Sequence, residues 1–377
     1  MGTMEYRVGD EVSAVFDQKT GAIKLYTDNN GVLWPDWLER AGIKRNHVVS
    51  VRVERGTVFL PENASGYNYE LEKDCMFGNL QVMRTFDALG FNTSRVTNMN
   101  SMFHNCRKLH SVDVSNFDTS GVTDMSEMFR NCRELKVLDL HHFDTSNVTD
   151  MCAMFEGCYE IRKLNLNGFD TSNVTDMSGM FRKCLHIQSL DLSHFDTKHV
   201  TDMSGLFSGC NELAYLNTGG FDTARVTNMR GMFTNCYDLV NIDVSSFDTS
   251  NVTNMEDFFY GCHKVQALDV SRFDTSNVKN MSWMFYSCDT LPGLNLSRFN
   301  TSKVTGMNYM FAGCKNITAL DLSNFDMSHV KDMQGMFSKC EKLKTVIMHS
   351  TTNPGALTGR MFGGCKDIRI MTLIIKK

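Results

Sequence analysis

The sequence predicts an α/β repeat solenoid: coils of 26 residues, each a short helix, a short parallel β-strand and a turn, behind a β-rich N-terminal cap. Two residue ladders and one change of hydrophobic period carry this reading. Phenylalanine recurs at Phe117, Phe143, Phe169, Phe195, Phe221, Phe247, Phe273, Phe299 and Phe325, opened by Phe91, always 26 residues apart. Cysteine keeps the same step from Cys106 to Cys340 and closes at Cys365 after 25, with only Cys75 and Cys152 outside the series. A unit this short cannot bury its own apolar face, so successive units must stack and share one core.

Within the unit Thr149 to Val174, Met151, Met154, Phe155 and Cys158 are spaced i, i+3, i+4, i+7. That spacing predicts one apolar face of a two-turn helix, with Thr149 or Asp150 capping its first amides. Leu164 and Leu166 flank Asn165, the two-residue period of a strand with its apolar side inward. Phe169 follows, then the turn formers Asp170-Thr171-Ser172-Asn173, with Val174 returning to the core. Adjacent strands then form a parallel sheet, and at a spacing of ~4.8 Å roughly ten coils give a rod about 50 Å long.

The expected organisation is a capping region over 1–73, an array over 74–348 and a closing segment over 349–377. Met76, Phe77, Asp87 and Phe91 fall in register with Met102, Phe103, Asp113 and Phe117, which marks a degenerate first unit. The cap is expected to close the first coil with Trp34 and Trp37. At the far end, Val346-Ile347-Met348 is the last regular strand and Ile368 to Ile375 a terminal one, finished by Lys376-Lys377, whose charge discourages further edge pairing.

Composition narrows the function classes. With 42% hydrophobic and 21% charged residues the chain can build a core, and a net charge of −5 supplies no global basic field for nucleic acid. No apolar run is long enough for a membrane span, and Met-Gly-Thr-Met-Glu-Tyr-Arg lacks the pattern of an export signal. No Ser, His and Asp set, phosphate-binding glycine loop or carboxylate cleft stands out, so neither catalysis nor a cofactor is expected.

Each candidate site has a structural counterpart. The cysteine ladder lacks the clustered ligands of a zinc site and reads as buried free thiols, with Cys152 the most accessible. The methionines from Met99 to Met333 read as core rather than as a soft-metal stripe. Outward strand residues form an acidic ladder, and Asp113 with Asp139 and Asp243 with Asp269 could hold calcium, against a hydrated stripe bonded to its own backbone. His141, His142 and His194 share a loop position, too widely spaced for one metal. A Thr145, Thr171 and Thr197 ladder would bind ice only if flat and exposed, whereas it falls in turns. Repeated Asn-x-Thr sequons follow from the repeat itself.

Positions that vary between coils are where a repeat protein encodes its partner. Trp283 and Tyr309 occupy one such position in successive coils and Tyr260 and Tyr286 another, with Tyr237 and Phe258 near them. These rings are expected on one outer ridge, as anchors of an interface, unless Phe258 replaces a core methionine.

Units such as Leu190-Asp191-Leu192-Ser193-His194-Phe195-Asp196-Thr197, continuing to Cys210, resemble the BspA-type leucine-rich repeat proteins of bacteria. Residues 19 to 61, with Gly21-Ala22-Ile23-Lys24-Leu25, Leu33-Trp34-Pro35-Asp36-Trp37 and Val51-Arg52-Val53, are similar to the β-rich segment that precedes such arrays. The resemblance implies a leucine-rich-repeat-like solenoid at a bacterial cell surface or secreted, binding a protein or surface glycan in adhesion, with no catalysis. The export signal and anchor usual in that family are not found in this chain, which leaves a cytoplasmic location open. A structural or self-assembling spacer, as a homo-oligomer or filament subunit, is the other reading.

Overall fold

The computed structural model describes residues 4–68, 73–74, 76–349, 356–366 and 368–373. It forms two compact units, Met1–Ile187 and Gln188–Lys377, the division falling inside the repeat array.

The first unit opens with β1 (Met4–Asp10), β2 (Val12–Asp17) and β3 (Ala22–Leu33), antiparallel in succession. Val12, Ala14 and Phe16 on β2, and Ile23 and Leu25 on β3, are buried at a strict two-residue period, which sets one face of this sheet against the core. β4 (Ser50–Phe59) pairs parallel with β3, and the sheet continues in parallel through Thr85–Asp87 and Ser111–Asp113. Between β3 and β4 a four-residue helix, α1 (Trp37–Arg40), buries Trp37 completely. Its indole Nε1 donates to the Met76 carbonyl at 3.2 Å, and Arg45 Nη1 donates to Met76 and Gly78 carbonyls at 3.2 and 2.8 Å. Carbonyls that a preceding coil would satisfy are thus satisfied by the cap. Trp34 packs differently, half-buried between the guanidinium groups of Arg7 and Arg40.

The expected helix in each coil does not form, and among the described residues the array contains no α-helix. Met151 to Cys158 is a chain of tight turns in which successive amides serve two purposes. Met151, Ala153, Phe155 and Gly157 donate to Asp176, Ser178, Met180 and Arg182 of the next coil, at 2.8–3.1 Å. Met154, Glu156 and Cys158 close i to i−3 turns on Met151, Ala153 and Phe155. Left-handed backbone at Ala153 (φ 51°) and Gly157 (φ 73°) turns the first set toward the neighbouring coil, and an α-helix forbids it. Asp150 accordingly caps no helix; it forms a parallel bridge with Asp124 and Asp176, so each coil is bonded to its neighbours along two sides.

The turns still direct the expected residues inward. Met151, Met154, Phe155 and Cys158 are each 0% exposed. Phe103, Phe129, Phe155 and Phe181 stack at 5.6–6.1 Å within 18° of parallel. Opposite them, Val137–Asp139 pairs parallel with Lys163–Asn165. At the corner Thr145 Oγ1, 1% exposed, donates to the Asp170 carbonyl at 2.8 Å and accepts from the Asp170 amide at 2.8 Å.

The second unit repeats this coil. Phe207, Phe233, Phe259, Phe285, Phe311, Phe337 and Phe362 stack at 5.2–5.8 Å. Parallel strands appear at Ser189–Asp191 with Tyr215–Asn217, and at Ala319–Leu322, Thr345–His349 and Arg369–Leu373. No strand forms at the corresponding places in three successive coils, at 240–244, 266–270 and 291–296; the first two share only an isolated bridge, Asn241 with Ala267. In other coils the residue two before the strand centre donates back, as Ala214 does to Gln188 and Lys344 to Thr318, both at 2.9–3.0 Å. Pro292 stands at that position in the third of these coils and has no amide to give, whereas Gln266 donates to Val240 at 2.9 Å without a strand forming. Residues 374–377, with the closing lysines, lie outside the described residues.

Candidate binding surface

The aromatic residues singled out in the sequence come together on the second unit. Tyr260 and Tyr286 stack at 4.7 Å and 11°, and Trp283 and Tyr309 at 4.3 Å and 18°. Tilted contacts of 5.0 Å (Trp283 with Tyr286) and 6.1 Å (Tyr260 with Trp283) join the two stacks. Tyr237 stands beside them, stacked on His263 at 5.1 Å. All five are half-buried. Burial, followed by the neighbouring Tyr286, Asp257 and Tyr237, raises the Tyr260 phenol above its ordinary pKa. Phe258 is not part of the ridge; it is fully buried against Phe259, replacing a core methionine.

Two of these rings sit on strained backbone. Trp283 (φ 62°) and Tyr309 (φ 55°) are left-handed, at a position that is Gly179, Gly205, Gly231 or Gly335 in some coils and Ser101, Glu127, Ala153 or Asp257 in others, all equally left-handed. Only glycine takes this conformation freely, and a side chain there costs roughly 1–2 kcal/mol. The Tyr309 ring also fills the space where a Cβ on Gly335 would stand. Charges bordering the ridge are paired: Arg230 with Glu256 and Asp257 at 3.3 and 3.7 Å, Lys264 with Asp238 and Lys315 with Asp289, each at 2.8 Å. The ridge is a preformed, uncharged aromatic surface.

The remaining candidates resolve locally. Asp113, Asp139, Asp243 and Asp269 each accept the amide of the residue two further on, Ser115, His141, Ser245 or Ser271, at 2.9–3.2 Å. Bonds from that same residue, side chain first, hold all four carboxyls below their ordinary range. Among the described residues no group of three His, Cys, Asp or Glu is placed to hold a metal. His141 bonds Asp139, His142 bonds the Val114 carbonyl, and His194 lies edge-on to Phe195. Described cysteines are free thiols, buried except Cys152 and Cys365, which are half-buried. Cys158 Sγ donates to the Phe129 carbonyl at 3.1 Å, and burial pushes its pKa up to about 12. Thr145, Thr171 and Thr197 are at most 1% exposed, so no ice-facing ladder exists there.

The repeats match the model of one protein family, described as Mycoplasma protein of unknown function, DUF285, over residues 73–187, 126–218, 160–268, 211–294 and 263–371. The chain belongs to that family. No curated protein matches this DUF285 chain. Solved structures similar to it include a leucine-rich cell surface protein of Faecalibacterium prausnitzii, 14% identical, covering 100% of this chain and 96% of that one, with a TM-score of 0.35. A leucine-rich repeat protein of Eubacterium ventriosum is 16% identical, covering 93% and 88%, with a TM-score of 0.35. One from T. pallidum is 18% identical, covering 60% and 86%, with a TM-score of 0.32. No ligand or role passes to this chain from likenesses so distant.

One ladder in this DUF285 chain went unread in the sequence. Asp124, Asp150 and Asp176 meet in parallel bridges, half-buried. Burial, then repulsion from Asp124 and Asp176, raises the Asp150 carboxyl above its ordinary pKa. A carboxyl raised on folding opposes folding once ionised, so its penalty is absent in acid and grows as pH rises through the folded pKa. Other coils carry asparagine here, and Asn228 donates to Asp202 at 2.9 Å while its Oδ1 accepts the Arg230 amide. Asp150→Asn is therefore expected to raise stability by roughly 1 kcal/mol at pH 7 and leave it unchanged near pH 3. Urea unfolding at both pH values checks this; an equal gain at both would remove the electrostatic cause.

Proposed function

We propose that this protein is a non-enzymatic binding scaffold acting at a cell surface, in adhesion, and that the ridge of Tyr260, Trp283, Tyr286 and Tyr309 contacts its protein or glycan partner. What supports the reading is the gathering of four large, half-buried rings into two joined stacks at positions that vary between coils. Rigid aromatic side chains lose little entropy on binding, which suits them as anchors. Among the described residues no helix is long and apolar enough to cross a membrane.

Trp283→Gly with Tyr309→Gly separates binding from folding. Released strain offsets lost stacking, so the thermal midpoint is expected to move by no more than a few degrees, while capture of a surface partner by the immobilised chain is lost. A variant that keeps the partner, or one that unfolds, overturns the assignment of the ridge. End-to-end filament growth, the alternative, is opposed by the cap, which already occupies the Met76 and Gly78 carbonyls. Lateral self-contact through the ridge is read by light scattering on the same pair of proteins.

A further inference from the structure

We propose that the first unit carries a second, separate binding surface: a basic column that holds a polyanionic glycan, one bearing sulfate or carboxylate groups along its chain. Arg84, His110, Lys136 and Arg162 are the residues immediately before the strand in four successive coils, and all four are exposed. In the next six coils the same position is Gln188, Ala214, Val240, Gln266, Pro292 and Thr318, none of them charged. Nothing in the coil's construction demands a cation there, so its recurrence on four neighbours marks a surface rather than a packing rule. Strand register, Thr85 on Ser111 and Val137 on Lys163, places Arg84 beside His110 and Lys136 beside Arg162, about 4.8 Å apart within each pair.

The column keeps uncompensated charge at its centre, on Lys136 and the neighbouring Lys163, although the whole chain is acidic. Glu134 is bound by Lys108 and, at 3.3 Å, by His110. Glu160 meets His186 at 3.7 Å and Arg162 only at 4.0 Å. Lys136 and the adjacent exposed Lys163 have no ion pair among the described residues, and Arg84 contacts the His110 ring at 3.4 Å, its charge also felt by Glu134. A shallow depression lined by His110, Glu134, Lys136 and Glu160 lies at the middle of the column. Three residues further along each strand, Asp87, Asp113 and Asp139 form a parallel acidic row. That row repels an anion from one side and so aligns a linear polyanion with the column.

Other polyanions fit less well. Nucleic acid is gripped through rings that stack its bases, and Tyr159, the tyrosine beside the column, is covered by the Arg133 guanidinium at 5.2 Å. An acidic peptide gains affinity by pairing its backbone with a free strand edge, whereas the strands here pair with one another. Recognition is left to charged tips at fixed spacing, which suits a stiff polymer with charges at regular intervals.

The test titrates the full chain with a heparin-derived octasaccharide, a neutral maltooctaose, an oligoglutamate and a single-stranded oligonucleotide of matched charge. Only the sulfated octasaccharide is expected to bind measurably. Lys136→Gln with Arg162→Gln, both exposed and expected to leave the thermal midpoint unchanged, should weaken it at least tenfold. The double change should also flatten the plot of log affinity against log salt by about two, roughly one for each cation removed. The ridge variant should bind the octasaccharide as the wild type does, which separates this surface from the one under Proposed function. Absence of binding, binding indifferent to the double variant, or equal affinity for oligoglutamate or oligonucleotide overturns the proposal.

Discussion

Phe155→Ala is expected to remove about 3–5 kcal/mol of stability, the largest effect of any single truncation considered. Its ring is fully buried between Phe129 at 6.1 Å and Phe181 at 5.8 Å, nearly parallel to both. Truncation forfeits the transfer of a phenyl group from water and leaves a hole. That hole cannot collapse, because Met151, Ala153, Phe155 and Gly157 are tied by backbone bonds to the next coil. Two stacked contacts vanish as well, each worth about 0.5–1.5 kcal/mol beyond buried area. Coils touch only their neighbours, so the loss should also be local. Hydrogen exchange should quicken at Phe129 and Phe181 before it does in β2 and β3. Denaturant unfolding gives the magnitude; a loss below about 2 kcal/mol would mean that the coils slide together and that the inter-coil bonds do not fix their spacing.

How much of this was legible in the sequence differs from ladder to ladder. The 26-residue step is free of insertions, so register could be read without coordinates, and it placed Tyr260, Trp283, Tyr286 and Tyr309 together correctly. The helix was misread because the i, i+3, i+4, i+7 spacing of Met151, Met154, Phe155 and Cys158 suits any backbone that returns to the core every three to four residues. A run of i to i−3 turns does so as well as a helix does. The distinguishing signal was present. The residue before each cysteine is Asn105, Asn131, Gly157, Gly209, Asn235, Gly261 and Gly313 in most coils, and glycine alternating with asparagine is the mark of left-handed backbone. The amide missing at Pro292 was equally readable, whereas the absence of strands in the two preceding coils, which carry no proline, was not. The basic column was hidden by a different step, because a net charge of −5 says nothing of how charge is arranged, and four cations in register required comparison of one position across coils. The left-handed backbone at Trp283 was signalled in the same way, by Gly179, Gly205, Gly231 and Gly335 in register with it.

Thr145→Val tests the corner of the coil and is expected to lose about 1–3 kcal/mol. Valine has the shape of threonine, so packing is kept and only the hydroxyl goes. That hydroxyl is 1% exposed and serves two backbone groups at once, donating to the Asp170 carbonyl and accepting from the Asp170 amide. Each loses its partner at a part-buried corner, Asp170 itself being exposed, and a hydrogen bond of this kind is worth about 0.5–1.5 kcal/mol. Thr119, Thr223, Thr249 and Thr301 make the same donation to the following coil at 2.8–3.0 Å, which shows that the bond belongs to the repeat and not to one site. Thr145→Ser supplies the control, since it retains both bonds and gives up one methyl, for a loss near 1 kcal/mol. The ordering Val below Ser below wild type is the informative outcome. If the two variants are equally destabilised, the methyl and not the hydroxyl holds the corner, and the repeat keeps threonine for its shape.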